Sequence, residues 1–220
     1  MQALLRPLNE LAEFEEIRRH KMERPGMMKI SGCVNSQKSH MMYALSDGCT
    51  YKVIVCSSEV KAKQIYEEYS FLDAATYQYP AKDLLFYQAD LRSKELTSQR
   101  MTVLQALTTK EPLTVVTSFD AFMDALLPKE EITSSMIKIS YDSSLDLQKL
   151  EKTLVELGYD REVQIEGPGQ FAVRGGILDV YPLTEELPVR IELWGDEVDS
   201  IRTFDIETQR SIENLEEITI

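Results

Sequence analysis

The chain has 220 residues, 24 Lys and Arg against 37 Asp and Glu, and a net charge of −13. Hydrophobic residues make up 43%, with 9 Gly and 8 Pro, the balance of a folded acidic protein and not of a disordered, collagen-like or membrane chain. No apolar run of about 18 residues is present, which argues against a transmembrane helix, and Met1 to Arg18 carries Glu where a signal peptide needs an apolar core. Cys33, Cys49 and Cys56 lack metal-ligand spacing and read as reduced thiols of a cytoplasmic protein. His20 and His40 have no Cys or carboxylate cluster around them, so no metal site is expected.

In chain order, Asn9 to Met22 predicts a helix, and the apolar run Met27 to Ser31 a short strand. A polar turn, Gly32 to Ser39, leads into a helix from about Lys38 to Leu45. Tyr51 to Cys56 reads as a buried strand, Lys61 to Phe71 as a helix and Ala74 to Tyr79 as a weaker strand. Lys94 to Leu107 reads as a helix, Leu113 to Thr117 as a strand, and Ser118 to Leu127 as a helix closed by Pro128. Strands alternating with helices predict an α/β domain with a mainly parallel sheet over residues 1–135.

The pattern then changes. Met136 to Ser140 alternates as a strand, and Ser143 or Ser144 is expected to cap a helix to Leu157. Its stripe is Leu147, Leu150, Leu154 and Leu157, with Gly158 as the stop. Short strands follow at Glu162–Ile165, Gln170–Arg174, Gly176–Tyr181, Val189–Trp194 and Glu197–Phe204. One helix and a run of strands predict a smaller α+β domain with an antiparallel sheet over 136–220. Charge divides in the same way: 16 basic and 18 acidic residues in 1–135, 8 basic and 19 acidic in 136–220. A field that acidic argues against gripping a nucleic-acid backbone, which needs Lys and Arg on phosphates.

Gly32 to Ser39 stands where a phosphate loop would stand. That motif needs Gly, four residues, then Gly-Lys-Ser or Gly-Lys-Thr. Lys38 and Ser39 fit, but Gln37 occupies the second Gly position, where a side chain obstructs the amide wrap around phosphate. Gly32, Gln37, Lys38 and Ser39 therefore read as a degenerate nucleotide loop. No Asp-rich strand end follows nearby, so no catalytic residue is assigned and no cofactor is expected for these 220 residues.

Strand alternation singles out a different surface. In Gln170–Arg174, Phe171 and Val173 share one face and Ala172 and Arg174 the other. In Val189–Trp194, Val189, Ile191 and Leu193 share one face and Arg190, Glu192 and Trp194 the other. The aliphatic faces should pack on the Leu147, Leu150, Leu154 stripe, leaving Arg174, Arg190 and Trp194 outward. Arg and Trp are enriched at interface hot spots because each joins large contact area to polar reach. The competing reading tucks Trp194 against a loop and pairs the arginines with Glu192 or Asp179.

The segment Phe171-Ala172-Val173-Arg174-Gly175-Gly176-Ile177-Leu178-Asp179-Val180-Tyr181-Pro182, the run Pro188 to Asp205 and Thr208-Gln209-Arg210-Ser211 resemble the UvrB-homology region of bacterial nucleotide excision repair proteins. The resemblance is densest over residues 160–211 and collinear over the first 135. Two families carry this region, UvrB and the transcription-repair coupling factors (Mfd). Gln37 departs from the intact loop of UvrB, and Tyr77 to Val116 leaves no room for its DNA-probing hairpin. Lys82-Asp83-Leu84-Leu85-Phe86, with Ser93-Lys94-Glu95 and Arg100, looks like the shorter version in the coupling factors.

The resemblance to the N-terminal part of the coupling factors implies a degenerate P-loop-NTPase-like (RecA-like) domain over 1–135. It implies a UvrA-binding adaptor over 136–220, with Arg174, Arg190 and Trp194 in the contact face. The first domain would be completed beyond residue 220. It further implies that RNA polymerase and DNA are engaged by other domains of a longer ATP- and magnesium-dependent translocase, with no membrane partner. The chain itself would recruit UvrA to stalled polymerase in transcription-coupled repair. The alternative is a UvrB-like nucleotide-binding subunit of the excision complex. On the first reading, Arg190→Ala or Trp194→Ala should each weaken UvrA binding by about 2 kcal/mol and barely alter the melting temperature.

Overall fold

The structure, a computed structural model, describes residues 2–23, 26–82 and 90–220. In chain order its elements are α1 (Gln2–Asn9), α2 (Ala12–Glu23), α3 (Asn35–Leu45), β1 (Tyr51–Cys56), α4 (Glu59–Ser70), β2 (Thr76–Tyr79), α5 (Asp90–Thr109), β3 (Leu113–Ser118), α6 (Phe119–Phe122) and α7 (Lys129–Ser135). There follow β4 (Lys138–Ser140), α8 (Leu147–Glu156), β5 (Asp160–Arg161), β6 (Gln170–Arg174), β7 (Ile177–Tyr181), β8 (Val189–Trp194), β9 (Glu197–Phe204), β10 (Ser211–Asn214) and β11 (Glu217–Thr219). The fold is mixed α/β, and the chain divides into two compact units, residues 1–81 with 110–124 and residues 82–109 with 125–220. Although α5 was expected among the first 135 residues, it groups in space with the second unit, where Ser98 donates to the Leu183 carbonyl.

The first unit is built on a three-stranded parallel sheet in the order β1-β3-β2. The central strand, Leu-Thr-Val-Val-Thr-Ser, is buried throughout, as a parallel strand covered on both faces must be. Ser58 caps α4 by accepting the Lys61 amide, and α4 lays Ala62 and Ile65 against Val116 and Cys56. One expectation is shifted here and one fails. The helix expected over Asn9–Met22 is found as α2 with a later start at Ala12, because the chain turns where the Leu11 amide bonds back to the Leu8 carbonyl, and a separate helix that was not expected, α1, precedes that turn. The strand over Met27–Ser31 is absent: the run pairs with neither edge of the sheet and Met27 is fully exposed. An apolar run without a partner strand does not make a strand.

The second unit carries a six-stranded sheet in the order β10-β9-β8-β7-β6-β5, antiparallel except for the short β5–β6 pair, and a two-stranded antiparallel sheet of β11 and β4. Leu150 and Leu154 of α8 pack with Leu147 on Phe171, Leu178, Val180, Val189, Ile191 and Ile201 of the large sheet and on Ile139 and Ile218 of the small one. Burying each such side chain is worth about 1.5–3 kcal/mol. The period-two and helical-stripe readings thus find this core. Asp146, and neither Ser143 nor Ser144, caps α8 by accepting the Lys149 amide at 3.0 Å. Gly158, at φ +89°, ends the turn after it.

Three further differences are local. The expected helix from Ser118 to Leu127 is the single turn α6, and α7 begins anew after Pro128. The strand expected at Glu162–Ile165 sits earlier, at β5. β10 and β11 are short, and β10 is exposed at every residue, so neither carries a periodic signal. Of the segment compared with the coupling factors, residues 83–86 lie outside the described residues, and of Ser93 and Lys94 only the helical backbone is described.

Candidate docking face

On the side of the large sheet away from α8, cross-strand register sets two rows of residues. One runs Ala172, Asp179, Arg190, Arg202 and the next Arg174, Ile177, Glu192, Ser200. The sequence reading put charged groups on this side, and they are there. It did not foresee how far they are covered. Asp179 is 2% exposed, and Ala172 is buried with Ile165 and Phe204 in a small second core.

Asp179 organises the face. Arg190 donates Nε to Oδ1 at 2.6 Å and Nη2 to Oδ2 at 2.8 Å, a two-bond fork of the kind guanidinium and carboxylate planes favour. The same Nη2 donates to Gln209 Oε1 at 2.8 Å, and the guanidinium carbon lies 4.5 Å from the centre of the Phe204 ring. Arg174 donates Nη2 to Asp179 Oδ2. The Asp179 hydrogen bonds, which outweigh the opposing effect of burial, push the Arg190 guanidinium further toward its protonated form. Arg190 retains 16% side-chain exposure, Arg174 47%.

A tight turn delivers Gln209. Asp205 Oδ1 accepts the Thr208 amide at 2.7 Å and its hydroxyl at 2.6 Å, which holds the Asp205 carboxyl below the usual aspartate range. Gln209 stands at φ +60°, and its amide nitrogen donates to the Ile206 carbonyl at 2.8 Å. Thr208 to Ser211, singled out in the sequence only by resemblance, therefore includes a ligand of Arg190. Arg202 pairs with Glu192, which also accepts from Ser200 at 3.2 Å.

Trp194 ends β8, opposite Glu197 and before the turn at Gly195, and is 84% exposed. The strand register shifts between Glu192 and Leu193, yet Leu193 still packs on the main core, leaving the indole free of it. The turn beneath is set by Gly176, where a Cβ would stand 2.9 Å from the Leu193 carbonyl oxygen. The structure therefore brings Arg174 and Arg190 together on one carboxylate and leaves Trp194 exposed at the hairpin end of the same sheet. The competing reading pairs the arginines with Asp179, and that pairing is what the structure shows, while its tucked-in Trp194 is not; sequence reasoning left Gln209 and Phe204 out of the site. A lone Asp inside the apolar strand Ile177-Leu178-Asp179-Val180-Tyr181 was the signal that this carboxylate would be buried.

In the first unit, the side chains of Gln37, Lys38 and Ser39 are engaged within the unit. Gly32 stands at φ +93°, and α3 begins at Asn35, so Gln37, Lys38 and Ser39 lie in its first turns. Gln37 Oε1 accepts the Val34 amide at 3.3 Å, and Lys38 donates to Asn35 at 3.0 Å. Ser39, 3% exposed, donates to Glu68 at 2.7 Å. Among the described residues no group of three or more His, Cys, Asp or Glu is placed to hold a metal ion, and no helix is long and apolar enough to cross a membrane.

Residues 137–220 match the family model of the UvrB interaction domain. The chain is 36% identical over 194 residues to the transcription-repair-coupling factor of Bacillus subtilis, covering 87% of this chain and 16% of that protein. It is 38% identical over 144 residues to the namesake from Staphylococcus haemolyticus, 66% of this chain and 12% of that protein. A third, from Staphylococcus aureus, is 36% identical over 151 residues, 68% of this chain and 13% of that protein. The chain thus spans about a sixth or less of the length of these relatives. The resemblance read from residues 160–211 is borne out: the chain is similar to a segment of the transcription-repair coupling factors, and its residues 137–220 match a UvrB interaction domain.

Proposed function

We propose that this chain, as a segment of transcription-repair-coupling-factor homology, is an interaction module whose second unit docks UvrA. The observation that carries the proposal is that one sheet displays both a half-exposed guanidinium, Arg174, and a largely exposed indole, Trp194. A large apolar side chain left 84% exposed on a sheet that also displays an anchored cation is what a partner-binding hot spot requires. The field around it is acidic, so steering by the few cations makes association sensitive to salt.

On this reading residues 136–220 form the adaptor and residues 1–135 a degenerate NTPase-like domain. Gln37 and Lys38, bonded within the loop, and Ser39, bonded to Glu68 of α4, support a scaffold role over nucleotide hydrolysis. Recruitment of UvrA to stalled RNA polymerase, and ATP- and magnesium-dependent movement on DNA, belong to the whole coupling factor acting through other domains.

Titrating the 220-residue chain with UvrA tests the reading. Wild type should bind saturably, Trp194→Ala should weaken binding by about 2 kcal/mol, and rising salt should weaken both. Absence of binding, or an indifferent Trp194→Ala, refutes it. Saturable ATP binding abolished by Lys38→Ala would favour the UvrB-like alternative instead.

A further inference from the structure

Two cations sit on one anion in the docking face. Asp179 gives both oxygens to the Arg190 fork and shares one of them with Arg174. Arg190 is enclosed: Gln209 closes its Nη2, Phe204 covers its plane, and 16% of its side chain is exposed. The surplus positive charge is therefore displayed at Arg174, 47% exposed and without a second polar partner among the described residues.

We infer that Asp179 is a positioning residue for the docking face: from its buried place it fixes the Arg174 guanidinium, with the unused N–H donors outward, before a partner arrives. The inference rests on the UvrA reading above. A free arginine side chain must surrender its rotamer freedom on docking; one already tied down has surrendered most of it. Binding to a buried carboxylate also fixes the plane of the fork, which decides whether it can meet an incoming carboxylate along two parallel bonds. The complementary partner patch is then a carboxylate, for Arg174, beside an apolar contact, for Trp194. Arg190 acts through Asp179: it is the bidentate counter-ion that lets one carboxylate remain buried beneath two cations.

The test is a set of UvrA titrations on the 220-residue chain: wild type, Trp194→Ala, Arg174→Ala, Asp179→Asn and the Asp179→Asn, Arg174→Ala double variant, each checked by thermal melting to be folded at the assay temperature. Asp179→Asn should weaken binding about tenfold. In the Arg174→Ala background it should cost less than about twofold, because what it removes acts through Arg174. An Asp179→Asn chain that binds like wild type overturns the positioning role, and so does a loss that persists in full without Arg174. Should Asp179→Asn not fold, NMR relaxation of the Arg174 guanidinium in wild type decides: it should be ordered in the free chain, and free averaging there overturns the inference. Wild type that fails to bind UvrA, or Trp194→Ala that binds like wild type, sinks the UvrA reading and the docking role with it. The earlier outcomes sink the positioning role alone.

Discussion

Asp179 and Arg190 stand directly opposite each other on β7 and β8 and are joined by bonds of 2.6 and 2.8 Å. The pair occupies the spot where alternation alone places a solvent-facing arginine. A carboxylate 2% exposed under a guanidinium 16% exposed is part of the packed domain. Removing one member of such a pair leaves the other desolvated, which costs more than the intact pair contributes.

Arg190→Ala should therefore destabilise the second unit by about 2–4 kcal/mol, held below the full cost of an orphaned buried charge because Arg174 still bonds Asp179. Trp194→Ala should change stability by no more than about 0.5 kcal/mol, since the indole is 84% exposed. Urea denaturation of both variants checks this. The result would revise the expectation that both substitutions barely alter the melting temperature; two equally small effects would restore it.

Gly176→Ala should loosen the base on which Trp194 stands. The added Cβ would lie 2.9 Å from the Leu193 carbonyl oxygen, a backbone atom that cannot rotate away. Relief requires the Leu193 amide to Gly176 carbonyl bond, now 2.8 Å, to lengthen. A cost of about 1–3 kcal/mol and faster amide exchange at Leu193 are expected. Unchanged exchange there would show that the hairpin yields elsewhere.

The first unit should lose stability in acid through Asp73. Burial alone would raise its carboxyl, but hydrogen bonds from Lys52 at 2.9 Å, Thr114 at 2.8 Å and the Ala75 amide at 3.1 Å outweigh burial and hold it below the usual 3.8. A carboxyl lowered by folding contributes stability that is fully present above its unfolded value and is lost as pH falls through the folded one. Unfolding free energy measured across the range from about pH 6 down to about pH 3 should fall most steeply below about pH 4. In Asp73→Asn that limb should flatten. An unaltered limb would assign the acid sensitivity to other carboxylates.

Which parts of this molecule are legible in its sequence follows from what periodicity encodes. The stripe Leu147, Leu150, Leu154 and the alternation of β6 and β8 name their own core faces, because burial on one side fixes the period. Alternation says which side of a sheet a residue faces, not what covers that side. Ala172, opposite Asp179 in the sheet, is buried with Ile165 and Phe204, and Arg190, which bonds Asp179, is closed by Gln209; these partners come from distant parts of the chain. Met27–Ser31 shows the converse: it is apolar enough for a strand but has no strand to pair with. The charged patch was legible as residues and not as a network, since one carboxylate serving two arginines is a three-dimensional fact.

Gln37 offers a test of how far the loop departs from a phosphate site. Its side chain accepts the Val34 amide, a donor that an anion would need, and its own amide bonds back to the Val34 carbonyl at 3.0 Å. Gln37→Gly removes that side-chain bond and adds a glycine to the first turn of α3, so it should cost about 1 kcal/mol. It restores the glycine spacing Gly32 to Lys38 without restoring the context, because residues 27–34 form no strand to present the loop to a ligand. Calorimetric titration of Gln37→Gly with ATP should therefore show no saturable heat up to millimolar ligand. Saturable binding that disappears on adding Lys38→Ala would mean that the glutamine side chain alone had closed a working site, and the scaffold reading of the first unit would fall.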